Sequence, residues 1–223
     1  MALSFDGTDD EVDYGNQDAF DGAANLTIAF WISVDETTNT VSPFGRNATN
    51  AGFWARTVNS GTGLDLVYNT GIICTMPNLA FAQGAWAHVC HVYDGGQGVA
   101  DDRGKWYVNG SVVASTYAGT IPATLADAGT SVLKIGRATT AATHLQCKMA
   151  ALKIWTASLT AAEVQAEVNT VIPKRTANLY LWSPLDDALS AVDYSGNGRN
   201  GTQSGGAVQV QGPPVSWGAP FQM

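Results

Sequence analysis

The sequence is poor in charge. Asp, Glu, Lys and Arg make up 13% of its 223 residues, against roughly 25% in an average soluble protein. Basic residues are the scarcer kind: 11 Lys and Arg face 19 Asp and Glu, for a formal net charge of -8. Phosphate backbones and anionic headgroups repel such a surface, which argues against nucleic-acid binding. No apolar run approaches the roughly 20 residues that cross a bilayer, so no membrane insertion is expected. The opening Met1-Ala2-Leu3-Ser4-Phe5-Asp6 lacks the basic region and apolar stretch of a signal peptide. Two readings stay open: a mature form with an added Met, or a chain made and folded in a cytosol. Cysteine is scarce too. Cys74, Cys90 and Cys147 are odd in number, widely spaced and without a C-x-x-C pair. They read as buried free thiols, which fits the cytosolic alternative.

Catalytic signatures are also missing. Ser195 lies in Tyr-Ser-Gly and not in G-x-S-x-G, the strained elbow of serine hydrolases. Glutamate occurs only at Glu11, Glu36, Glu163 and Glu167. No paired-carboxylate cluster of the kind that cleaves glycosides is formed by them. The expectation is a protein that is not an enzyme.

What is present is β-forming. Hydrophobic residues reach 45% and glycines number 24. Leu26 to Val34 alternates with a period of two, Leu26, Ile28, Phe30, Ile32 and Val34 facing one way. Short runs of similar character follow at 53–58, 64–68, 86–94, 132–136, 149–155 and 179–182, separated by Gly, Asn and Asp turns. Asn109-Gly110 between Lys105–Val108 and Ser111–Ala114 predicts a hairpin with a type I′ turn. One helix is predicted from Thr160 to about Asn169. Thr160 and Glu163 form a capping box, Leu159 and Val164 a hydrophobic staple, and Pro173 blocks extension. Being short and lone, it is expected to plug an edge or end of a sandwich. Residues 205–223 hold Pro213, Pro214 and Pro220, and should make little ladder structure. The chain therefore divides into a 1–204 β-sandwich and a 205–223 extended tail.

The order of motifs carries a resemblance. Leu3-Ser4-Phe5-Asp6-Gly7, the strand through Trp31, Trp86-Ala87-His88-Val89 and Tyr93-Asp94-Gly95 follow one another. Trp106-Tyr107-Val108-Asn109-Gly110, Leu133-Lys134-Ile135-Gly136, 149–155 and the Leu-Thr-Ala-Ala-Glu-Val helix complete the series. It resembles the laminin G-like, concanavalin A-like jelly-roll family. That implies an all-β fold, a two-sheet antiparallel jelly-roll sandwich with one short helix and an extended C-terminal tail, and a non-catalytic binding role. One departure stands out. The 179–185 segment and the Asp193 loop look like a stretch that usually opens such domains, and here they come last. A circular rearrangement accounts for this if the first and last strands are neighbours. The arrangement, with its Pro-rich end, is also similar to proteins carried by tailed bacteriophages.

Four groups of residues are candidate sites. Asp193, Ser195 and Asn197 place oxygens at alternate positions before Gly198, as the start of a calcium loop does. Ser204 stands where an EF-hand needs its closing glutamate, so a family-type Ca2+ site or a metal-free Asx-turn are the alternatives. Asp6, Asp9, Asp10 and Asp13 are candidate partners across adjoining termini. His88, Cys90 and His91 hint at a metal, but alternation sends His91 to the opposite face from the other two. Trp54, Trp106, Trp155, Trp182 and Tyr107 are candidates for sugar stacking, or core. Sequons at Asn25, Asn47, Asn109 and Asn200 carry little weight without a leader.

The expected function is surface binding. One form is a virion decoration or accessory subunit, assembled in a host cytoplasm and held by virion proteins or copies of itself. The alternative is a carbohydrate-binding or adhesion module assisted by calcium, with glycans as partners. Beyond that ion no cofactor is expected.

Overall fold

A computed structural model describes residues 1–35, 41–48, 51–69, 71–77, 80–138, 144–187 and 191–215. The strands, in chain order, are β1 Ala2–Asp6, β2 Glu11–Asn16, β3 Asn25–Val34, β4 Phe44–Ala48, β5 Ala51–Val58, β6 Gly63–Tyr68, β7 Ile72–Thr75 and β8 Ala87–Asp94. They continue with β9 Gly104–Val108, β10 Ser111–Val112, β11 Thr116–Ala118, β12 Val132–Ile135 and β13 Gln146–Trp155. After the helix α1, Ala161–Glu167, come β14 Leu179–Ser183, β15 Thr202–Ser204 and β16 Val208–Val210. Two antiparallel sheets result. The first has the order β10-β9-β8-β3-β13-β1-β16, with β14 also on β13; the second runs β11-β7-β6-β5-β4-β12-β2-β15. The expected jelly-roll sandwich is therefore what forms.

The core lies between the sheets. Ile28, Phe30, Ile32 and Val34 of β3 meet Phe44 of β4, Phe53 of β5 and Leu66 of β6 in one buried cluster. Phe30 and Phe44 pack edge to face across the layers, centroids 5.4 Å apart. Burying a side chain of this size contributes roughly 1.5–3 kcal/mol. The hairpin turn is as expected: Asn109 and Gly110 both take positive φ, 50° and 81°, as type I′ demands. The Asn109 carboxamide oxygen also accepts the His88 backbone N–H at 3.0 Å.

First and last strands are neighbours at two places. β16 pairs β1 and β15 pairs β2, the adjacency that a circular rearrangement requires. The 205–215 stretch is thus not wholly without ladder structure. Val208–Val210 supplies three residues of sheet before Pro213 and Pro214 end it.

The helix is placed differently from expectation. Its capping box is present, the Thr160 hydroxyl accepting from Glu163 N and the Glu163 carboxylate from Thr160 N. It reaches the edge strand β10, where Gln165 meets Gly110, but lies mainly on the outer face of the first sheet. Val164 and Leu159 pack onto Ala29, Cys90, Val92, Tyr107 and Trp155, the outward residues of the first sheet. The reason is that β3 is buried on both faces: Thr27, Ala29, Trp31 and Ser33 are covered as fully as their inward neighbours. An outward face so apolar needs a lid.

A buried ion pair fixes that lid. Lys153 Nζ, on β13, lies 2.7 Å from Glu167 Oε2 at the end of α1, and both side chains are 1% exposed. The ammonium also donates to Thr170 O at 2.8 Å. Glu167 Oε1 accepts the backbone N–H groups of Lys174 and Arg175. Removing one partner leaves a buried charge uncompensated, which costs about 3–5 kcal/mol. Glu167→Ala is expected to lower the unfolding free energy by about that amount in urea titrations.

Two histidines are buried without charge. His91 faces the core and shares a hydrogen bond with the Tyr68 hydroxyl at 2.5 Å. His88 faces the opposite way, beside Trp31. Burial pushes both down to about 3, with the Lys153 charge adding to the effect at His88. The unfolded chain takes up their protons near pH 6.5 and the folded chain only near pH 3. Stability is then complete above about pH 6.5 and falls as pH drops through that window, by up to roughly 1.4 kcal/mol per pH unit for each histidine. Chemical denaturation between pH 7 and 4 should show this slope, and His88→Asn should remove about half of it. A profile flat across that range would refute the assignment.

Candidate functional site

The sites expected from the sequence are distributed unequally by the fold. Cys74, Cys90 and Cys147 are buried free thiols, with burial pushing Cys74 up to about 12. His88 and Cys90 lie on the outer face of β8 and His91 on the inner one, so the three do not converge. Trp106 and Trp155 are wholly buried and Tyr107 nearly so, which removes them as stacking platforms. Trp54 and Trp182 are half-buried, Trp54 with the Arg56 guanidinium 5.7 Å from its ring centroid. Tyr194 is the most exposed aromatic among the described residues, and its ring lies 5.8 Å from that of Trp182.

The Asp193 loop closes on itself. Asp193 Oδ1 accepts from Trp182 N at 3.0 Å and Ser195 N at 2.9 Å. Its Oδ2 accepts from Ser195 Oγ and Arg199 N, both at 2.9 Å. Asn197 Nδ2 donates to Leu179 O and Tyr180 O. Burial opposes ionisation of Asp193, but the donors from Trp182, Ser195 and Arg199 outweigh it and hold the carboxyl below its usual range. These oxygens face N–H and O–H donors, the pattern of an Asx-turn, and as placed do not fit a calcium ion. Asp6, Asp9 and Asp10 do come together, their carboxylate oxygens within 4.8 Å of one another. Asp193 is not among them, and Asp13 turns to Lys134 at 3.6 Å.

What the loop builds is a wall. Between it and the corner after β2 lies a cleft of about 500 Å³, lined by Tyr14, Asn16, Gln17, Asp18 and Ala19 on one side. Tyr180, Asn197, Gly198, Arg199 and Asn200 form the other side. The first wall is anchored by Arg46, fully buried on β4. Its guanidinium grips Asp21 through both carboxylate oxygens, at 2.5 and 2.8 Å. It donates further to Asn16 Oδ1 and Gly129 O, each at 3.0 Å. Burial resists ionisation of Asp21, but Arg46 and the Ala128 N–H prevail and hold its carboxyl below the ordinary value. The second wall is anchored by Tyr180, whose hydroxyl donates to Gln17 Oε1 at 2.7 Å. The Arg199 guanidinium carbon sits 3.7 Å above the Tyr180 ring centroid, a stacked cation–π contact. Sequence reasoning missed Arg199, Tyr180 and Asp18. Arg199 lies within the turn-rich loop that drew attention, but its ring partner is 19 residues away.

A second depression, of about 720 Å³, runs between Trp86 and Lys148 on the first sheet and the chain's own 210–215 stretch. Its lining is more apolar, and Lys148 is already paired with Asp35 at 2.5 Å.

With the geometry established, the family comparison decides the class. A family model described as the concanavalin A-like lectin/glucanases superfamily matches residues 6–165. The chain belongs to this superfamily. Solved structures agree with it in fold. A candidate carbohydrate binding protein from Bacteroides ovatus superposes with a TM-score of 0.69 at 17% identity, covering 97% of this chain and 62% of that one. This concanavalin A-like chain thus spans less than two thirds of that protein. A heptameric SAP-like pentraxin from Limulus polyphemus gives a TM-score of 0.57 at 19% identity, covering 75% of this chain and 81% of that one. No curated protein sequence matches. At such identities the likeness is one of fold alone.

Asp193→Ala leaves the N–H groups of Trp182, Ser195 and Arg199 without an acceptor, and should cost about 2–4 kcal/mol of stability. Because the network needs no ion, the loss should be equal in calcium and in EDTA. A loss confined to calcium-containing buffer, read by thermal melting, would overturn the metal-free assignment.

Proposed function

We propose that the chain is a non-catalytic carbohydrate-binding module whose sugar site is the rim cleft. The observation that carries this is the lining. Amides, a carboxylate and a guanidinium stacked on the buried Tyr180 ring line one open groove. Polyhydroxylated ligands need this mixture of donors and acceptors for their hydroxyls. The concanavalin A-like fold and the neighbour described as a candidate carbohydrate binding protein support the reading. Non-catalysis is supported by the described glutamates, each held in an ion pair: Glu11 with Lys134, Glu163 with Arg175 and Glu167 with Lys153.

A virion-decorating role draws on the 205–223 tail as a contact arm. The described part of that tail lies on its own domain: β16 pairs β1, and the Gln209 amide donates to Asp186 O. That gives the carbohydrate reading the firmer footing.

Asp18 tests the site without disturbing the fold. Its side chain is 81% exposed; it accepts from the neighbouring Asn16 amide and lies 4.0 Å from the Arg46 guanidinium, at the outer limit of an ion pair. On a broad glycan array the wild type should bind a defined set of oligosaccharides. Asp18→Ala should weaken binding about tenfold, the worth of one charge-assisted hydrogen bond, with an unchanged melting temperature. An array without binding would refute the proposal.

A further inference from the structure

We infer that the cleft selects sugars bearing a carboxylate, with Arg199 as the group that recognises it. This rests on the carbohydrate reading and adds the substrate class to it.

The inference starts from an uncompensated charge. Among the described residues Arg199 takes part in no ion pair, although acidic residues outnumber basic ones. Its side-chain hydrogen bonds both leave one terminal nitrogen, Nη1, for Tyr180 O and Asn197 O, each at 3.5 Å. Those are at the outer limit of the interaction. A guanidinium carries five N–H donors in a planar fork. Nη2 and Nε donate to nothing among the described residues.

The cation is also held in place before any ligand arrives. Stacking on Tyr180 fixes the plane of the fork, and Tyr180 is itself fixed through its hydroxyl to Gln17 and through Phe20, 5.0 Å from its ring. The Arg199 backbone N–H is tied to Asp193. A half-buried, oriented fork with spare donors is what bidentate carboxylate binding needs, and little side-chain freedom remains to be lost on binding. Contrast Arg46, whose two terminal nitrogens are already taken by Asp21, Asn16 and Gly129.

The rest of the cleft suits a sugar over a bare anion. Asp18 offers acceptor oxygens on the facing wall and would repel a small anion, but accepts from ring hydroxyls. The Asn200 carboxamide oxygen accepts from Asp193 N, and among the described residues its amino group donates to nothing and can serve a hydroxyl acceptor. Such a ligand is a uronic or a sialic acid unit: carboxylate on the fork, hydroxyls towards Asp18 and Asn200.

The experiment compares matched pairs by calorimetric titration. One arm uses trigalacturonate and its carboxyl-reduced counterpart galactotriose. The other uses sialyllactose and lactose. At least one acidic member should bind ten times or more tighter than its neutral counterpart, and the arm in which this happens names the source of the carboxylate. Raised salt should narrow the gap. Arg199→Met keeps the aliphatic stem and should abolish the preference, bringing the acidic member down to the affinity of its neutral counterpart. Its melting temperature checks that the loop stays folded. If neutral and acidic members bind alike in both arms, the inference fails and the carbohydrate reading stands. If no member binds and a broad array is also silent, both fail. The wild-type comparison decides the matter even if the variant does not fold.

Discussion

The Lys153–Glu167 pair governs which surfaces of this molecule are available. It sits under the end of α1 and ties the helix, the Thr170 carbonyl and the Lys174–Arg175 backbone to the central strand β13. A buried ion pair is a poor source of net stability, because desolvating two charges offsets most of their attraction. Its value here is positional. An apolar residue could cover the same area, but it would not specify where the 167–175 stretch crosses the sheet. With that crossing fixed, the outer face around Trp155, Cys90 and Val92 is sealed by the chain itself.

The rim depends on a second buried cation in the same manner. Arg46 reaches Asp21, Asn16 and Gly129 from within the fold, and the Asp193 carboxylate gathers the opposite loop. Two walls, each held by one charged group with all its neighbours engaged, make a groove that keeps its shape without a ligand. Arg199 is the exception, stacked and poised but not saturated.

Much of this was legible in the chain. Leu26 to Val34 declares a strand because alternation over nine residues has no helical counterpart. The Asn109-Gly110 turn and the Thr160–Glu163 box are local chemistry, complete within four residues. Short strands such as β4, β7 and β15 carry no such signal, since three to five residues gain their order from partners far along the sequence. The helix was foreseen but its berth was not. Ala29, Trp31 and Ser33 alternate like solvent-facing residues, and only the pairing of β3 with β8 and β13 reveals a face too apolar to stay wet. At the site, oxygens at 193, 195 and 197 announced a structured loop. Whether they face a cation or N–H groups depends on Trp182 and Arg199, which spacing does not reveal.

The pairing of β15 with β2 and β16 with β1 has a consequence for how the molecule is made. On the ribosome the earliest strands emerge with their outer edges bare, and the segments that cover them are synthesised some two hundred residues later. Non-local ladders of this kind fold slowly, and open edges invite pairing between nascent chains. Few of the intermediate lengths can therefore be fully native, and the sandwich is sealed only as its last strands arrive.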